Sequence, residues 1–346
     1  MRVLLTGSAG FIGGAAADVF TDAGHEVVPV DLMLAEAHGE TRAPEGTHQV
    51  DVRDADALTE LLRGCDAVCH QAAVVGAGVT VSDLPVYASH NDLGTATLLA
   101  VMHEVGVARL VLASSMVVYG EGSYSCPEHG MRQPLPRSRA VLDGGDFDHH
   151  CPDCDRPLDW GLVGEDARLD PRSAYAASKV AQEHYAAAWV REAGGSAVAL
   201  RYHNVYGPGM PQNTPYSGVA AMFRSALERG ESPRVFEDGA QLRDFVHVAD
   251  VARANLAALE RVTQCDDGFE AFNVCSGQPV SIGDVAHLVA RGSGHDLAPE
   301  VTGQYRLGDV RHVVASPALA AETLGFRAQI SPDEGLPEFA TAPLRD

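Results

Sequence analysis

Apolar and polar positions follow two different periods along the first part of the chain. Short, almost wholly apolar runs, such as residues 3–6 and 26–30, predict β-strands. Between them lies a longer stretch, residues 11–23, whose apolar positions recur at helical spacing. Strands this short and uniformly apolar are typical of a parallel sheet that helices cover on both faces. We therefore predict an α/β protein built on a doubly wound parallel sheet.

The alternation continues along most of the chain. It predicts further strands and helices at residues 58–63, 67–70, 84–104, 110–113, 173–192 and 197–202. Beyond residue 207, helices are predicted at residues 218–229, 248–261 and 282–291. These later segments are too interleaved for an independent domain, so we expect a lobe over the carboxyl edge of the sheet. The predicted division is residues 1–204 for the sheet domain and 205–346 for the lobe, with residues from about 240 to 275 returning to the sheet domain.

Residues 121–168 interrupt this rhythm. Pro, Gly, Asp, His and Cys accumulate there and no period survives, which predicts an insertion with its own small fold or with none. It contains Cys-Pro-Glu-His at residues 126–129 and Cys-Pro-Asp-Cys at residues 151–154, with 21 residues between them.

Each of these motifs presents two metal ligands around a tight turn, and three Cys with one His form a closed tetrahedral set for zinc. The flanking segment is poor in apolar residues, so bound metal would supply the folding free energy that it lacks. Three free thiols in a mobile loop are the alternative, and His149 or His150 are substitutes for the histidine ligand. The sequence predicts a structural, zinc-ribbon-like Zn²⁺ site at Cys126, His129, Cys151 and Cys154.

Composition narrows the class of protein. The chain has 346 residues, 46% hydrophobic and 21% charged, as in an ordinary globular protein. Its net charge of −22 repels nucleic acid, so we expect no such partner, and an anionic ligand needs a local cation. It has no run of about 18 apolar residues, so no membrane span is expected. Glycines interrupt the apolar start of the chain, which argues against a signal peptide and predicts a cytosolic protein with reduced cysteines.

A glycine-rich turn, Thr-Gly-Ser-Ala-Gly-Phe-Ile-Gly at residues 6–13, follows the first predicted strand and opens the first predicted helix. Its glycines permit a tight turn and a close approach of the backbone to a pyrophosphate at the helix N-terminus. Asp31, at the end of the second strand, can accept hydrogen bonds from both ribose hydroxyls of an adenosine. Because Leu32 and Met33 offer no cation for a 2′-phosphate, NAD is favoured over NADP.

Two further segments end the third and fourth predicted strands. Asp51, which opens residues 51–54, can lie near the adenine amino group, and the small residues within 70–73 leave room for a cofactor. Taken singly, each match is also compatible with a plain turn between a strand and a helix. Their order along the chain favours a Rossmann-like dinucleotide site.

Tyr175 and Lys179 are four positions apart in a predicted helix, so their side chains share one face. An ammonium group beside the phenol stabilises the phenolate and lowers a Tyr pKa that is ordinarily about 10. The phenolate can then take a proton from a sugar hydroxyl while hydride leaves for a nicotinamide. Ser115 follows an apolar strand at the ligand-binding edge of the sheet and can share that proton. A solvent-facing Tyr–Lys pair is the alternative for the helix taken alone.

The motifs in this order resemble the extended short-chain dehydrogenase/reductase family, which contains NAD-dependent nucleotide-sugar epimerases and dehydratases. The resemblance spans nearly the whole chain and rests on residues 6–13, Asp31, residues 70–73, residues 114–120, the Tyr175–Lys179 pair and the segment Arg-Tyr-His-Asn-Val-Tyr-Gly-Pro-Gly at 201–209. It implies bound NAD. It also implies that Ser115 positions the substrate hydroxyl, that Tyr175 is the general base and acid, and that Lys179 tunes Tyr175 and binds the nicotinamide ribose.

The resemblance implies two sets of binding residues. The cofactor set is Gly7, Gly10, Phe11, Ile12, Gly13, Asp31, Asp51, Val52, Gln71, Ala72, Ala73, Ser114, Tyr175, Lys179, Tyr202, Asn204 and Val205. The nucleotide-sugar set is Ser115, Met116, Asn204, Val219, Arg243, Arg306 and Asp309. In the second set both arginines bind the diphosphate and Asp309 binds the nucleoside ribose. A surface salt bridge is the alternative for each arginine taken alone.

The positions after Ser115 indicate the reaction. Family dehydratases carry an Asp–Glu pair there and decarboxylases carry a Glu, whereas this chain has Met116 and Val117. With no carboxylate to act on C5 or C6, the resemblance implies that hydride returns to C4, which is 4-epimerisation. The Cys motifs and residues 216–219 resemble the dTDP-L-rhamnose 4-epimerase-like branch, although His129 stands where that branch has a fourth Cys. This implies a dTDP-6-deoxyhexose or related nucleotide-hexose as substrate.

Other classes remain open on the sequence. One is a nucleotide-sugar reductase or dehydrogenase that releases its nicotinamide product, or a dehydratase of the same family. A non-catalytic NAD-binding regulatory protein is disfavoured by the intact set of Ser115, Tyr175 and Lys179. The resemblance also implies a homodimer, held by a four-helix bundle from the helices predicted at residues 84–104 and 173–192.

Overall fold

Strands and helices alternate along the chain as the apolar pattern predicts. The computed structural model describes residues 1–39, 42–76, 81–211, 218–264 and 267–345. The strands are β1 (Arg2–Thr6), β2 (Glu26–Asp31), β3 (His48–Gln49), β4 (Ala67–His70), β5 (Arg109–Ser115), β6 (Ser123–Cys126), β7 (Gly130–Met131), β8 (Asp159–Gly161), β9 (Ser196–Tyr202), β10 (Asn204–Tyr206), β11 (Arg234–Val235), β12 (Leu242–His247), β13 (Gly268–Val274), β14 (Pro279–Ser281) and β15 (Glu300–Val301).

The helices are α1 (Phe11–Asp22), α2 (Ala35–His38), α3 (Ala55–Leu62), α4 (Leu84–Tyr87), α5 (Gly94–Val105), α6 (Arg139–Asp143), α7 (Ala174–Ala193), α8 (Val219–Glu228), α9 (Val248–Gln264), α10 (Ile282–Ser293), α11 (Ala318–Thr323) and α12 (Pro332–Phe339). Within the described ranges, no helix combines the length and the apolar character that crossing a membrane requires.

Seven strands form the main sheet, in the order β13-β9-β5-β4-β1-β2-β3. Every neighbouring pair in it is parallel. The strand order reverses at β1 and β4, which is the kind of switch point where open α/β sheets bind ligands. The predicted Rossmann-like, doubly wound parallel sheet is confirmed.

The sheet is buried on both faces, which explains why its strands are uniformly apolar. In β1, Val3 and Leu5 pack on one face with residues of α1 and α9, such as Phe20. Leu4 points to the opposite face and packs with residues of α3, α5 and α7, such as Leu58. Successive strand residues face opposite ways, so a strand covered on both sides has no solvent-facing position.

A third core lies in the later part of the chain. Phe223 of α8, Val285 of α10 and Phe339 of α12 pack together there, over the small sheets β10-β12-β14 and β11-β15. Two elements from the same stretch of chain belong elsewhere, because α9 packs with α1 and β13 is the edge strand of the main sheet. The lobe is therefore interleaved with the sheet domain in sequence.

The insertion at residues 121–168 has a small fold of its own. β7, β6 and β8 form an antiparallel sheet beside a buried cluster of Tyr124, Cys126, Cys151 and Leu158. Buried ion pairs join the insertion to its surroundings, since Arg137 lies 2.9 Å from Glu237 of the lobe. The insertion is thus anchored to the lobe by charged groups.

The helix predicted at residues 84–104 is interrupted in the structure. Between α4 and α5 the chain widens into a π-helical segment, Ala88–Leu93. The buried amide of Asn91 in this segment accepts a hydrogen bond from the backbone N of Val74 (2.8 Å) and donates one to its carbonyl oxygen (2.9 Å). A π-bulge redirects side chains within a helix, and here it turns Asn91 toward the loop after β4. Periodicity alone does not reveal such a change.

Candidate active site

A cavity of about 390 Å³ opens at the carboxyl ends of the central parallel strands. Its walls contain every residue of the predicted cofactor set, from Gly7 to Val205, together with Val219 of the predicted nucleotide-sugar set. These residues come from separate strand ends and from α1, α7 and α8, and the fold brings them together. A cleft at the switch point of an open α/β sheet suits an extended dinucleotide.

The glycine-rich turn forms one wall of the cavity. Gly7 has a φ of +68°, which favours glycine, and a Cβ on it would come within 2.7 Å of the backbone N of Ala72. A Cβ on Gly13 would overlap the carbonyl oxygen of Gly7. Gly10 caps α1 without a side chain, and the first turn carries no acidic residue. The N–H groups at the start of α1 are therefore open to an anionic ligand.

Asp31 ends β2 beside this turn and is held on two sides. Its carboxylate accepts hydrogen bonds from the backbone N of Ala9 (3.0 Å) and of Met33 (2.8 Å), and it pairs with the buried His38 at 3.3 Å. Burial acts to raise the pKa of Asp31, but the hydrogen bonds from His38, Met33 and Ala9 outweigh it and lower the pKa. Asp31 is therefore a fixed carboxylate in the cavity wall.

Asp51 lies next to Asp31 along the sheet edge. Arg53 donates to it from Nε at 2.9 Å and from its own backbone N at 2.9 Å. These hydrogen bonds from Arg53 lower the pKa of Asp51. Arg53 in turn donates to the hydroxyl of Ser89 at 2.6 Å, so the π-helical segment helps to place this side chain.

The three predicted catalytic residues meet where β5 and α7 approach each other. The side chains of Tyr175 and of Ser115, which ends β5, lie close enough for Ser115 to act on the pKa of the Tyr175 hydroxyl. The ammonium group of Lys179 donates to the carbonyl oxygen of Ala113 at 2.9 Å and lies 5.8 Å from the centre of the Tyr175 ring. The geometry thus gathers two hydroxyl groups and a cation at one place.

The pKa of Tyr175 differs from the sequence-based expectation. Burial raises it, and the hydrogen bond with Ser115 offsets this only in part. The expected lowering by Lys179 is wrong for the chain's own groups, since the effect of burial is the largest and the pKa of Tyr175 is raised. Burial lowers the pKa of Lys179 to about 8, against an opposing effect of Glu183.

A buried ion pair between β9 and α7 supports the positions of Ser115, Tyr175 and Lys179. Arg201 of β9 lies 2.8 Å from Glu183 of α7, and both side chains are almost fully buried. Glu183 also accepts a hydrogen bond from the hydroxyl of Ser114 at 2.5 Å. Since Ser114 precedes Ser115, these contacts hold α7 in register with the end of β5.

The predicted nucleotide-sugar residues divide into two groups. Asn204 lines the cavity, donates to the carbonyl oxygen of Asp244 (3.1 Å), and lies 3.5 Å from the sulfur of Met116. Val219 begins α8 and also lines the cavity, whereas its predicted neighbours Tyr216 and Ser217 lie outside the described residues.

Arg243, Arg306 and Asp309 form the second group and lie away from the cavity lining. The guanidinium of Arg243 donates to the carbonyl oxygens of Leu242, Val310 and Arg311 at 2.6–2.9 Å. Arg306 is exposed and stacks over Phe236 at 5.2 Å. The two arginines and Asp309 are still electrostatic neighbours, because both cations act to lower the pKa of Asp309, which burial raises.

The four predicted metal ligands come together in the insertion. The ligand atoms of Cys126, His129, Cys151 and Cys154 all lie within 4.8 Å of one another. The Sγ of Cys126 is 3.4 Å from Nδ1 of His129 and 3.7 Å from Sγ of Cys154. The Sγ of Cys151 lies 3.6 Å from the same histidine nitrogen.

The alternative histidines are engaged elsewhere. His149 pairs with Glu121 at 2.9 Å, and His150 pairs with Asp146 at 3.1 Å. His129 is therefore the histidine of the cluster.

Among the cavity-lining residues that the sequence did not predict, two make polar contacts beside the glycine-rich turn. His38 pairs with Asp31, and Arg345 donates to the carbonyl oxygen of Ala9 at 2.5 Å, from 336 positions further along the chain. Neither belongs to a local motif. The sequence offers one signal for them: because the chain is strongly acidic, an anionic ligand requires a cation close to its site.

Comparison with known proteins identifies the class. The chain matches the NAD dependent epimerase/dehydratase family over residues 3–139 and 160–275, and the gap between these stretches falls inside the insertion. The matched stretches make up more than half of the chain. The chain belongs to the NAD dependent epimerase/dehydratase family. The resemblance read from the motifs is confirmed.

Individual relatives extend the likeness to full length. The dTDP-L-rhamnose 4-epimerase of Burkholderia thailandensis is 34% identical over 353 residues, covering 98% of this chain and 94% of the relative. The UDP-glucose 4-epimerase of Thermotoga maritima, solved with UDP-glucose, has a TM-score of 0.78 and 28% identity, covering 98% of this chain and 97% of that one. The UDP-glucose 4-epimerase of Thermus thermophilus, solved with NAD, has a TM-score of 0.76 and 30% identity, covering 98% of both chains. The predicted class of enzyme, a nucleotide-sugar epimerase, is confirmed.

Proposed function

We propose that this protein is an NAD-dependent 4-epimerase of nucleotide sugars. One observation carries the proposal: Tyr175 and Lys179 line one cavity beside Ser115 at the end of β5, and the acidic lining residues of that cavity are Asp31, which ends β2, and Asp51, which follows β3. β5 and β2 are three strand positions apart, roughly 14 Å, which is room for the length of a dinucleotide. Among the described residues that line the cavity, the carboxylates are Asp31 and Asp51 and none accompanies Tyr175, which favours epimerisation over dehydration.

Different residues of the chain carry out different steps of the proposed mechanism. NAD, when bound, supplies a hydride acceptor that can return the hydride to the opposite face of C4. The glycine-rich turn would hold the diphosphate of NAD, and Asp31 would accept hydrogen bonds from its adenosine ribose. Tyr175 withdraws the proton of the C4 hydroxyl and later gives it back, while Ser115 shares that proton. Lys179, held by the carbonyl oxygen of Ala113, would bind the nicotinamide ribose.

A dTDP-linked 6-deoxyhexose, or a related nucleotide-hexose, is the substrate that we propose. The relative named dTDP-L-rhamnose 4-epimerase supports this choice. We place the sugar beside Ser115, Met116, Asn204 and Val219. The nucleotide would extend toward Arg243, Arg306 and Asp309 of the lobe, which assigns cofactor binding to residues 1–204 and substrate binding mainly to residues 205–346, with about 240–275 returning to the sheet domain.

We further propose a structural Zn²⁺ bound by Cys126, His129, Cys151 and Cys154. Bonds of about 2.0–2.3 Å at tetrahedral angles place ligand atoms roughly 3.4–3.8 Å apart, and three pairs of ligand atoms in the cluster are 3.4, 3.6 and 3.7 Å apart. Four protein ligands leave no open coordination position, so this metal takes no part in the sugar chemistry. Its role would be to hold the insertion together.

A homodimer and a cytosolic location complete the proposal. Leu84, Val86 and Leu93 around α4 and the π-helical segment, and Tyr185 of α7, are exposed apolar side chains on the helices predicted to form a four-helix bundle. Covering them against a second copy would remove apolar surface from water. All cysteines within the described ranges are free, which supports a reducing compartment.

The proposed 4-epimerase activity is tested by tracing the hydrogen atom at C4 of the substrate. A panel of nucleotide sugars identifies the substrate by NMR, and the best substrate is then prepared with deuterium at C4. Epimerisation keeps the label at C4 of the inverted product, with no net formation of NADH. Label in released NADH would instead identify a dehydrogenase or reductase, and loss of water would identify a dehydratase in which Met116 and Val117 do not prevent elimination.

A further inference from the structure

The side chain of Arg345 crosses from the lobe to the sheet domain. Its backbone N donates to the carbonyl oxygen of Met210 at 3.1 Å, and Gly209 donates to the carbonyl oxygen of Pro343 at 2.8 Å. Leu344 packs against the core of the lobe. The backbone of Arg345 is therefore held by the lobe, whereas its guanidinium lines the cofactor cavity.

The guanidinium is only partly engaged there. Its Nη1 donates to the carbonyl oxygen of Ala9, in the middle of the glycine-rich turn. Its Nε is buried and has no hydrogen-bond partner among the described residues. A buried donor without a partner is costly, so this position calls for an acceptor that the described part of the chain does not provide.

Charge identifies what kind of acceptor fits. Of the residues that line the cavity, Lys179 and Arg345 are the only lysine and arginine, and Lys179 donates to Ala113 at the other end. Arg345 is therefore the cation at the glycine-rich turn. A guanidinium fork matches phosphate oxygens, and a chain of net charge −22 needs a local cation to hold a dianion.

We propose that Arg345 binds the diphosphate of NAD, together with the open N–H groups at the start of α1. The inference rests on the proposal that NAD occupies this cavity. It assigns a residue of the lobe to the cofactor and makes the bound cofactor a bridge between the lobe and the sheet domain.

The experiment measures binding with the whole chain, stripped of cofactor, by calorimetry. The ligands are NAD, ADP-ribose and adenosine, of which only adenosine lacks the diphosphate. The variants are Arg345→Met, Arg345→Lys and the control Arg327→Met, since Arg327 is an exposed arginine outside the cavity. Arg345→Met should weaken the binding of NAD and of ADP-ribose about 10- to 100-fold, whereas its affinity for adenosine should stay within about twofold of the wild-type value. The affinities of Arg345→Lys for NAD and ADP-ribose should lie between those of wild type and Arg345→Met. The control Arg327→Met should bind all three ligands as wild type does.

Two outcomes overturn the inference alone. If Arg345→Met binds NAD and ADP-ribose as wild type does, Arg345 does not contact the diphosphate. If adenosine weakens by the same factor as ADP-ribose, Arg345 acts by holding the turn at Ala9. If wild type binds neither NAD nor ADP-ribose, the cofactor assignment fails first. Arg345→Lys keeps the test decisive where the Met variant does not fold.

Discussion

Lys179 of α7 donates a hydrogen bond to the carbonyl oxygen of Ala113 in β5, at 2.9 Å. Ala113 lies two residues before Ser115, so this bond ties the helix that carries Tyr175 to the strand that carries Ser115. The Glu183–Arg201 ion pair joins the same helix to β9, about one turn further along. The meeting of Tyr175 and Ser115 is thus set by buried polar contacts between α7 and the sheet.

Replacing Tyr175 by Phe removes the hydroxyl that takes and returns the proton. We expect turnover to fall roughly 100- to 10,000-fold, as is typical when a general base is lost. Nucleotide-sugar affinity should change little, because the ring and its contact with Tyr87 remain. NMR-monitored turnover and calorimetry measure the two effects. The proton-transfer role is excluded if the variant keeps more than a third of wild-type activity.

Lys179 offers a direct measurement of burial, because it is the only lysine in the sequence. Protein labelled with ¹³C and ¹⁵N in lysine alone should give one side-chain signal. That signal should titrate with a midpoint near 8, since burial lowers the pKa of Lys179 to about 8. A midpoint near the ordinary lysine value of about 10.4 would show that the ammonium is solvated.

The same pKa shift has a consequence for stability. The folded-state pKa is lower than the unfolded one, so the unfolded chain binds more protons at Lys179 between pH 8 and about 10. Stability at this residue therefore rises with pH across that window. We expect the free energy of unfolding of wild type to increase relative to Lys179→Met between pH 7.5 and 9.5, in urea titrations of both proteins. A constant or falling difference would contradict a buried ammonium.

Asp31 should determine the choice of cofactor. Its hydrogen bonds lower its pKa, so at neutral pH it is a carboxylate that repels a 2′-phosphate. Wild type should bind NAD more tightly than NADP. Asp31→Asn should weaken NAD binding about tenfold and reduce the difference between the affinities for NAD and NADP. The control Asp18→Asn changes an exposed carboxylate on α1. Equal or tighter binding of NADP by wild type would show that Asp31 does not bind the adenosine ribose.

Zinc can be counted directly. Protein prepared without a histidine tag should contain about one zinc per chain by elemental analysis, since the four ligands form one closed set. Cys151→Ser with Cys154→Ser should lose that zinc and unfold at a lower temperature, because metal binding in such a segment contributes folding free energy. Cys65→Ser, which changes a thiol outside the cluster, should keep it. Substoichiometric zinc in wild type, unchanged in the double variant, would exclude the site.

Much of the fold and the site was predictable from local pattern. The uniformly apolar strands reflect burial on both faces of the sheet, and this leaves a mark in every strand. Gly7 and Gly13 are required by the local path of one turn, and Tyr175 and Lys179 share a face by helical period. Features of this kind depend on neighbours a few residues away, so the order of residues alone specifies them.

Other features depended on packing between distant parts of the chain. His38 reaches Asp31, Arg345 reaches Ala9, and Asn91 turns within a π-helical segment to bond Val74. The direction of the Tyr175 pKa shift also belongs here, because it follows from burial rather than from the spacing of Lys179. The sequence by itself determined the sheet, the glycine turn and the chemistry-bearing residue types. Which side chains finally meet, and how far water is excluded from them, was decided only by the tertiary structure, because burial and long-range contacts are properties of the packed chain.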